Sequence, residues 1–262
     1  MINTIAFPGL SLGPFQIHES FQLGGLTIHW YGVMIAAGIL VAYLFCSHIA
    51  QEYHLTKDNI LDIILFGLPS AIICARIYYV VFEWSGYRDN FWDIFKIWEG
   101  GIAIYGAVIG ACLSTYLYCK SKNIAVGNAF DVGAFGLLIG QIFGRWGNFV
   151  NAEAYGTLTD LPWRMALLDL NIAVHPTFLY ESLWNVAVFI CLFLVRKKMT
   201  HPGDIFLGYV TLYGLGRFWI EGLRTDSLYM GPFRISQIIA AICVIVGVCI
   251  ILIRKYKKAA TK

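Results

Sequence analysis

Long apolar segments, separated by shorter polar ones, follow one another along most of the chain. A run of about 17–25 apolar residues is long enough to cross a bilayer as a helix. Seven such stretches lie at roughly 28–50, 59–82, 101–119, 126–144, 175–195, 203–221 and 234–253. The pattern therefore predicts an all-α integral membrane protein with about seven transmembrane helices.

Two of the polar connections, 83–100 and 145–174, are longer and richer in aromatic residues than the others. The first contains Trp84, Trp92 and Trp98, and tryptophan collects at membrane–water interfaces. We expect 83–100 to form an interfacial arm and 145–174 to form a loop and a small head on the outer face. Residues 1–262 are predicted to form a single polytopic domain.

The distribution of Lys and Arg predicts the orientation, because cytoplasmic connections carry an excess of these residues. One alternating set of connections holds eleven of them and the other holds six. The richer set includes the C-terminal segment, so the C-terminus is predicted to be cytoplasmic and the N-terminus outside. Five of the six outer basic residues are Arg, which suits bidentate binding of phosphate or equally the anchoring of helix ends to lipid headgroups.

The composition agrees with a membrane protein and excludes several other classes. Hydrophobic residues make up 58% of the chain, charged residues 13%, and the mean hydropathy is +0.67. Soluble domains have about 25% charged residues, so a soluble enzyme and a disordered chain are excluded. A net charge of +3 is too small to indicate a nucleic-acid partner. No basic segment precedes an apolar one at the N-terminus, so we expect no removable signal peptide.

The cysteines indicate packing rather than chemistry. All seven lie within or at the end of an apolar stretch, and none forms a C-x-x-C pair. Small buried hydrophobic residues are therefore the expected role, and neither a disulfide framework nor a metal site is predicted.

Ionisable residues inside the predicted helices are costly in a bilayer and need a reason. They are Asp62, Arg76, Asp131, Glu181, Arg217 and Glu221. Asp62 and Asp131 lie near cytoplasmic ends and fit a structural role equally well. Arg217 and Glu221 share one helix face at i, i+4 and could neutralise each other. Arg224, however, adds a second guanidinium near that face, and this excess positive charge predicts an anionic ligand.

The densest polar segment is GRWGNFVNAEAYG, at residues 144–156. Arg145, Asn148 and Asn151 recur at intervals of three, so one helix face carries a guanidinium and two amides. Glu153 follows directly, and glycines in the same segment permit close approach by a backbone or a ligand.

The predicted topology brings two further motifs to the same outer level. HWYG contains His29 and Tyr31, and HPTFLYE contains His175, Tyr180 and Glu181. Taken alone, His29 fits an interfacial histidine better than a catalyst. Arginines grouped at headgroup depth suit a phosphate ester whose acyl tails stay in the bilayer. The residues alone thus predict a membrane enzyme or transporter that handles an anionic lipid or amphiphile at the outer leaflet.

The segment GRWGNFVNAEAYG closely resembles the signature of bacterial prolipoprotein diacylglyceryl transferases. Similar landmarks occur in matching order over nearly the whole chain: HWYG at 29–32, Arg76 in CARIYYVVF, EGGIAIYGAVIG at 99–110, HPTFLYE at 175–181 and YGLGRFWIEGLR at 213–224. The resemblance implies a multi-pass, seven-helix protein of the bacterial cell membrane, with its N-terminus outside and a site open to the outer leaflet.

The reaction implied by the resemblance is a group transfer in lipoprotein maturation. The diacylglyceryl group of phosphatidylglycerol moves to the lipobox cysteine thiol of a prolipoprotein signal peptide, forming a thioether and releasing glycerol 1-phosphate. The implied partners are phosphatidylglycerol, prolipoproteins and the lipid bilayer, and no metal or organic cofactor is implied.

The resemblance also implies roles for individual residues. Arg145 would bind the lipid headgroup and Arg217 the leaving phosphate, while Asn148 and Asn151 would hold glycerol hydroxyls or phosphate oxygens. Three acids, Glu153, Glu181 and Glu221, would orient the arginines rather than act on substrate. The residues expected to bind substrate are Tyr31, His29, Asn148, Asn151, Glu153, Gly156, His175, Tyr180, Glu181, Tyr213, Glu221, Arg224 and Arg76.

Tyr105 stands where many members of this family carry a histidine regarded as the general base. A tyrosine with a pKa near 10 is a poor base at neutral pH. Three hypotheses are open. Tyr105 acts as a tyrosinate with a lowered pKa, or its hydroxyl only donates a hydrogen bond. The third hypothesis is that the family never strictly required the histidine. We favour the hydrogen-bond donor, and we include Tyr105 with Arg145 and Arg217 among the catalytic residues. The alternative function is an outer-leaflet anionic-lipid transporter or flippase, which predicts inverted repeats that the sequence does not display.

Overall fold

Each of the seven predicted helical stretches coincides with a helix. The computed structural model describes residues 2–88, 90–199 and 201–260. The long helices are α1 (Trp30–Ile49), α2 (Lys57–Phe82), α3 (Ile104–Ser121), α4 (Val126–Val150), α5 (Thr177–Val195), α6 (Asp204–Glu221) and α7 (Ile235–Ala260). Thr56 begins α2 with a capping box, because its side chain accepts from the backbone N–H of Asn59 and the Asn59 side chain accepts from that of Thr56.

Within the described ranges, five helical stretches are long and apolar enough to cross a membrane. They are Trp30–Tyr53, Lys57–Phe82, Val126–Val150, Thr177–Lys198 and Ile235–Arg254. The two remaining helices are more polar: α6 carries Asp204, Arg217 and Glu221, and α3 ends in Lys120 and Ser121. The protein is therefore a mostly helical integral membrane protein. That α3 and α6 also span the membrane stays a prediction.

Short β-strands accompany the helices, so the all-α description needs correction. They are β1 (Ile2–Phe7), β2 (Leu12–His18), β3 (Ser20–Leu23), β4 (Leu26–His29), β5 (Met165–Leu167), β6 (Ile172–Val174), β7 (Tyr229–Met230) and β8 (Phe233–Arg234). A search for long apolar runs cannot detect strands of two to seven residues. The strands β3 and β4 form a hairpin that directly precedes α1, and β7 and β8 form one that directly precedes α7.

The segment predicted to form a head, 145–174, supplies β5 and β6 to a four-stranded antiparallel sheet in the order β2-β1-β5-β6, and we call this sheet together with the segment the head. Its location on the outer face stays a prediction. Its central pairing joins Ile5 to Leu167 and Ala6 to Ala166. Ile5, Leu167 and Val174 are almost fully buried and form a core with Phe178 of α5. The N-terminal residues thus supply half of the sheet, which the sequence did not predict.

Two compact units divide the chain. The first unit comprises Met1–Phe45 and Gly133–Lys262, and the second unit is Cys46–Val132. The first unit holds the head, both hairpins and helices α5, α6 and α7, and the second holds α2, α3 and the connection between them. That the whole chain acts as a single polytopic domain stays a prediction.

In the second unit, Arg76 organises the connection predicted to form the arm. Its side chain is only 6% exposed. Its nitrogens donate to five backbone carbonyls: from Nε to Ile94 at 2.8 Å, from Nη1 to Gly100 and Gly101 at 2.7 and 2.8 Å, and from Nη2 to Asp93 and Lys96 at 2.6 and 3.4 Å. The arm exposes Trp84, Trp92 and Trp98, as interfacial residues would be. Its position on a membrane surface stays a prediction.

The cysteines are all free. Cys46 and Cys119 are buried, as the apolar pattern predicts, whereas Cys191 and Cys249 are exposed on helices that can cross a membrane. Among the residues described, there is no group of three or more His, Cys, Asp or Glu side chains that could hold a metal ion.

Candidate active site

Three arginines converge on the carboxylate of Glu181, which lies near the start of α5. The Glu181 side chain is 3% exposed. Its Oε2 lies 2.7 Å from Nη2 of Arg145, near the end of α4. Its Oε1 lies 3.0 Å from Nη1 of Arg217, near the end of α6, and 3.1 Å from Nη1 of Arg224. Glu181 therefore holds together guanidinium groups from α4, from α6 and from the segment after α6.

Two further carboxylates complete this cluster. Glu221 Oε2 lies 2.6 Å from Arg217 Nη2, and Asp226 accepts from Arg224 Nε and Nη2 at 2.9 and 2.7 Å. Each of the three guanidiniums is therefore paired with at least one carboxylate, whereas the sequence predicted that Arg217 and Arg224 share Glu221 alone. Burial alone would lower the pKa of Arg224 and raise that of Asp226. Their mutual hydrogen bonds and charges outweigh burial, so that the pKa of Arg224 is raised and that of Asp226 is lowered.

The three arginines differ in how accessible they are. The Arg224 side chain is 9% exposed and bonds acids through all three of its nitrogens. The side chains of Arg145 and Arg217 are 20% and 19% exposed. Each makes two of the bonds described here, so three of the five N–H donors of each guanidinium have no bond among the described residues. That Arg145 and Arg217 bind an anion stays a prediction.

The amide stripe predicted at the end of α4 is present. Arg145 Nη1 donates to Asn148 Oδ1 at 3.1 Å, and Asn148 Nδ2 donates to Glu153 Oε1 at 2.8 Å. Asn151 Nδ2 reaches the same oxygen at 3.4 Å. In these contacts Glu153 orients the two amides, whereas we expected it to orient arginines. A chain of hydrogen bonds thus runs from Arg145 to the loop after α4.

Gly156 joins the head to the segment that carries Arg224. Its N–H donates to His175 O at 3.0 Å, and the next N–H, of Thr157, donates to Leu223 O at 2.7 Å. A Cβ atom at Gly156 would lie 2.6 Å from the Cβ of His175 and 3.1 Å from the carbonyl oxygen of Leu223. Glycine is therefore required here by the close approach of two backbone segments.

Three other predicted residues lie on α1, β4 and α6: they are Tyr31, His29 and Tyr213. The Tyr31 ring packs on α4 so closely that a Cβ at Gly147 would lie 2.6 Å from it. His29 is an exposed residue of β4, paired with Ser20. Tyr213 lies one turn before Arg217 on α6 and stacks on Tyr209, with ring centroids 5.6 Å apart.

His175 and Tyr180 form a separate group with a residue of the head. Trp163 Nε1 donates to the Tyr180 hydroxyl at 2.7 Å, and His175 Nδ1 lies 3.3 Å from that oxygen. Burial lowers the pKa of the His175 imidazole, which favours its neutral form. The hydrogen bonds of this group tie the start of α5 to the head rather than to the arginines.

Tyr105 and Arg76 belong to the second unit. Tyr105 lies in the first turn of α3, where its ring centroid is 6.3 Å from that of Tyr78. The donors of Arg76 are occupied by the carbonyls of the arm. The catalytic role of Tyr105 and the substrate-binding role of Arg76 stay predictions.

Two residues of this environment were missed by sequence reasoning. Asp226 follows Arg224 by two positions, and this short spacing was the sequence signal for an ion pair between them. Arg234 was counted only as an outer charge, yet its Nη1 donates to the backbone carbonyl of Glu221 and its Nε donates to the Tyr229 hydroxyl at 2.9 Å. No local sequence pattern connects Arg234 with Glu221, which lies thirteen residues earlier.

Comparison with known proteins identifies the family. A sequence model described as prolipoprotein diacylglyceryl transferase matches residues 18–253. A protein from Clostridioides difficile, named phosphatidylglycerol–prolipoprotein diacylglyceryl transferase, is 46% identical over 229 residues, covering 87% of this chain and 92% of its own length. A protein of the same name from Listeria monocytogenes serotype 4b is 43% identical and covers 91% and 90%. These names describe transferases and give no support to the transporter alternative. The chain belongs to the prolipoprotein diacylglyceryl transferase family.

Proposed function

We propose that the chain transfers the diacylglyceryl group of phosphatidylglycerol to the lipobox cysteine of prolipoproteins. The products are a thioether-linked lipid and glycerol 1-phosphate. Membership of the family and the names of the relatives support this function. The structural observation that carries it is the pair of partly exposed arginines, Arg145 and Arg217, held by the buried carboxylate of Glu181.

The proposed chemistry requires stabilisation of a departing phosphate. The thiol loses its proton, the sulfur attacks a glycerol carbon, and the bond from that carbon to the phosphate oxygen breaks. The phosphate leaves with its bonding electrons as a monoester and therefore gains negative charge. Fixed guanidinium donors stabilise charge that develops in a transition state. Arg145 would bind the headgroup and Arg217 the leaving phosphate, while Asn148 and Asn151 would hold hydroxyl or phosphate oxygens.

The proposed setting is the bacterial cell membrane, with seven crossings, the N-terminus outside and the site open to the outer leaflet. Five apolar helical stretches and the asymmetry of Lys and Arg support it. In this orientation the ends of α4 and α6 and the start of α5 lie at headgroup depth. A lipid donor could then place its phosphate at the arginines while its acyl chains remain in the bilayer.

Purified protein in phosphatidylglycerol vesicles, given a lipobox peptide, tests this function. We expect mass spectrometry to detect a diacylglyceryl thioether on the peptide cysteine. With Arg145→Ala we expect product formation to fall at least about 100-fold, because a preorganised anion contact is lost. Arg164→Ala is the control, since Arg164 bonds only backbone carbonyls of its own loop in this structure. Absence of product with folded wild-type protein would refute the proposed reaction.

For Tyr105→Phe we expect the turnover rate to fall about tenfold, the effect of losing one useful hydrogen bond. The favoured hypothesis is that the hydroxyl donates this bond while another group or the leaving phosphate accepts the thiol proton. Tyr78→Phe is the matched control, because the two rings are neighbours. Undiminished turnover of the Tyr105 variant would show that its hydroxyl has no catalytic role.

A further inference from the structure

A second polar layer lies one helical turn below the arginine cluster. On α4, Gln141 precedes Arg145 by four residues, and on α5, Asn185 follows Glu181 by four residues. Residues at this spacing share a helix face, about 6 Å apart along the axis. Both amides are therefore displaced from the cluster in the same direction, towards the middle of their helices.

These two amides have unused hydrogen-bonding capacity. Asn185 is only 1% exposed, and no partner among the described residues bonds its Nδ2. Gln141 Nε2 donates to the Tyr209 hydroxyl at 2.8 Å, and its buried Oε1 has no partner in the described part of the chain. If the oxygen and nitrogen of the Gln141 amide are exchanged, Oε1 accepts a hydrogen bond from the Tyr209 hydroxyl and Nε2 is left without a partner. Buried polar groups of this kind are uncommon and call for an explanation.

One more turn along α5 the environment becomes apolar and aromatic. Phe189 follows Asn185 by four residues, and its ring centroid lies 5.6 Å from that of Phe135 on α4 and 5.0 Å from that of Phe45 on α1. The same face of α5 therefore presents a carboxylate that holds arginines, then an amide, then aromatic rings. A phospholipid has the same order of chemistry: phosphate, ester carbonyls, then hydrocarbon.

We propose that Asn185 and Gln141 form a subsite for the fatty-acyl ester carbonyls of the lipid donor, an inference that rests on the proposed function. With the phosphate at Arg145 and Arg217, the ester carbonyls of the same lipid fall one turn deeper, at the level of the two amides. A carbonyl oxygen accepts hydrogen bonds only, so the two donors are Asn185 Nδ2, which is unused, and Gln141 Nε2 in the amide orientation in which Oε1 accepts from the Tyr209 hydroxyl. Asn185 and Gln141 are thus specificity residues that select ester-linked over ether-linked lipid.

A competition between two lipids tests the subsite. Vesicles contain equal amounts of diester phosphatidylglycerol and of its diether analogue with chains of equal length, which lacks the carbonyl oxygens. Mass spectrometry separates the two thioether products on the lipobox peptide. Their ratio does not depend on how much of the enzyme is folded. We expect wild-type protein to favour the diester lipid by about fivefold to tenfold, the effect of about one hydrogen bond.

In Asn185→Leu and Asn185→Ala we expect this preference to fall to about twofold or less, because both side chains lack a hydrogen-bond donor. Thr211→Val is the matched control: the Thr211 hydroxyl donates to Leu207 O within α6, and the preference should stay at the wild-type value. A wild-type ratio near one, or an unchanged ratio in both Asn185 variants, would overturn the subsite while leaving the proposed function intact. No product from either lipid with folded wild-type protein would overturn both.

Discussion

Replacement of Glu181 by Gln will lower the stability of the protein and its activity together. The Glu181 carboxylate is 3% exposed and contacts three guanidiniums. Its neutral replacement leaves three cations facing only Glu221 and Asp226. Breaking a buried ionic network from one side costs about 3–5 kcal/mol. We expect an unfolding free energy lower by about that amount, and a turnover rate lower by at least about 100-fold because Arg145 and Arg217 lose their shared support.

The matched control is Glu153→Gln. Glu153 accepts hydrogen bonds from two amides and contacts no guanidinium within the described residues. We therefore expect a loss of stability of about 1 kcal/mol or less. Thermal unfolding in detergent, together with the thioether assay, measures both effects. A Glu181→Gln protein with wild-type stability would show that the arginines do not depend on this carboxylate.

For Arg217→Lys we expect about a 100-fold fall in turnover rate with little change in the amount of folded protein. Arg217 spans two acids through separate nitrogens, Glu181 at 3.0 Å and Glu221 at 2.6 Å. An ammonium group keeps the charge but has a single nitrogen and no planar fork. It cannot bond both carboxylates in the same geometry and also offer a bidentate contact to phosphate. Removal of one preorganised donor of this type costs about 100-fold to 1,000-fold in rate.

Arg164→Lys separates the effect of position from that of residue type. Arg164 bonds the carbonyls of Asp160 and Leu161 at 3.3 Å and has no described contact with the cluster. We expect its rate to stay within about twofold of wild type, since single hydrogen bonds at such sites contribute little. Equal rates for the wild type and Arg217→Lys would contradict the assignment of Arg217 to the leaving phosphate.

Helical segments and their polar ends were predictable because the signals are local. An apolar run of about 20 residues defines a membrane helix whatever its neighbours are. The spacing of Arg145, Asn148 and Asn151 likewise defines one helix face, and in the structure a hydrogen bond joins the first two. The motif around Arg217 and Glu221 is another i, i+4 pair that the sequence displays directly.

Contacts between distant segments were not predictable from one sequence. Glu181 was expected to orient arginines, but its position between three of them depends on the packing of α4, α5 and α6. The charge balance changed for the same reason, because the local count included neither Glu181 nor Asp226. The pairing of β1 with β5 was missed because β5 begins more than 150 residues after β1 and is only three residues long.

The pairing of β1 with β5 has a consequence for biosynthesis. Residues 2–7 can pair with β2 as soon as both segments are made, but their other partners, at 165–167, follow only after α1, α2, α3 and α4 have been made. The edge of β1 that pairs with β5 must therefore wait while four helices are made, and Ile5 lacks its core neighbour Leu167 until then. Contacts between segments so distant in sequence form slowly, because a long loop must close first. The head, and with it the backbone junction at Gly156, is expected to be among the last parts of the newly made protein to reach its final form.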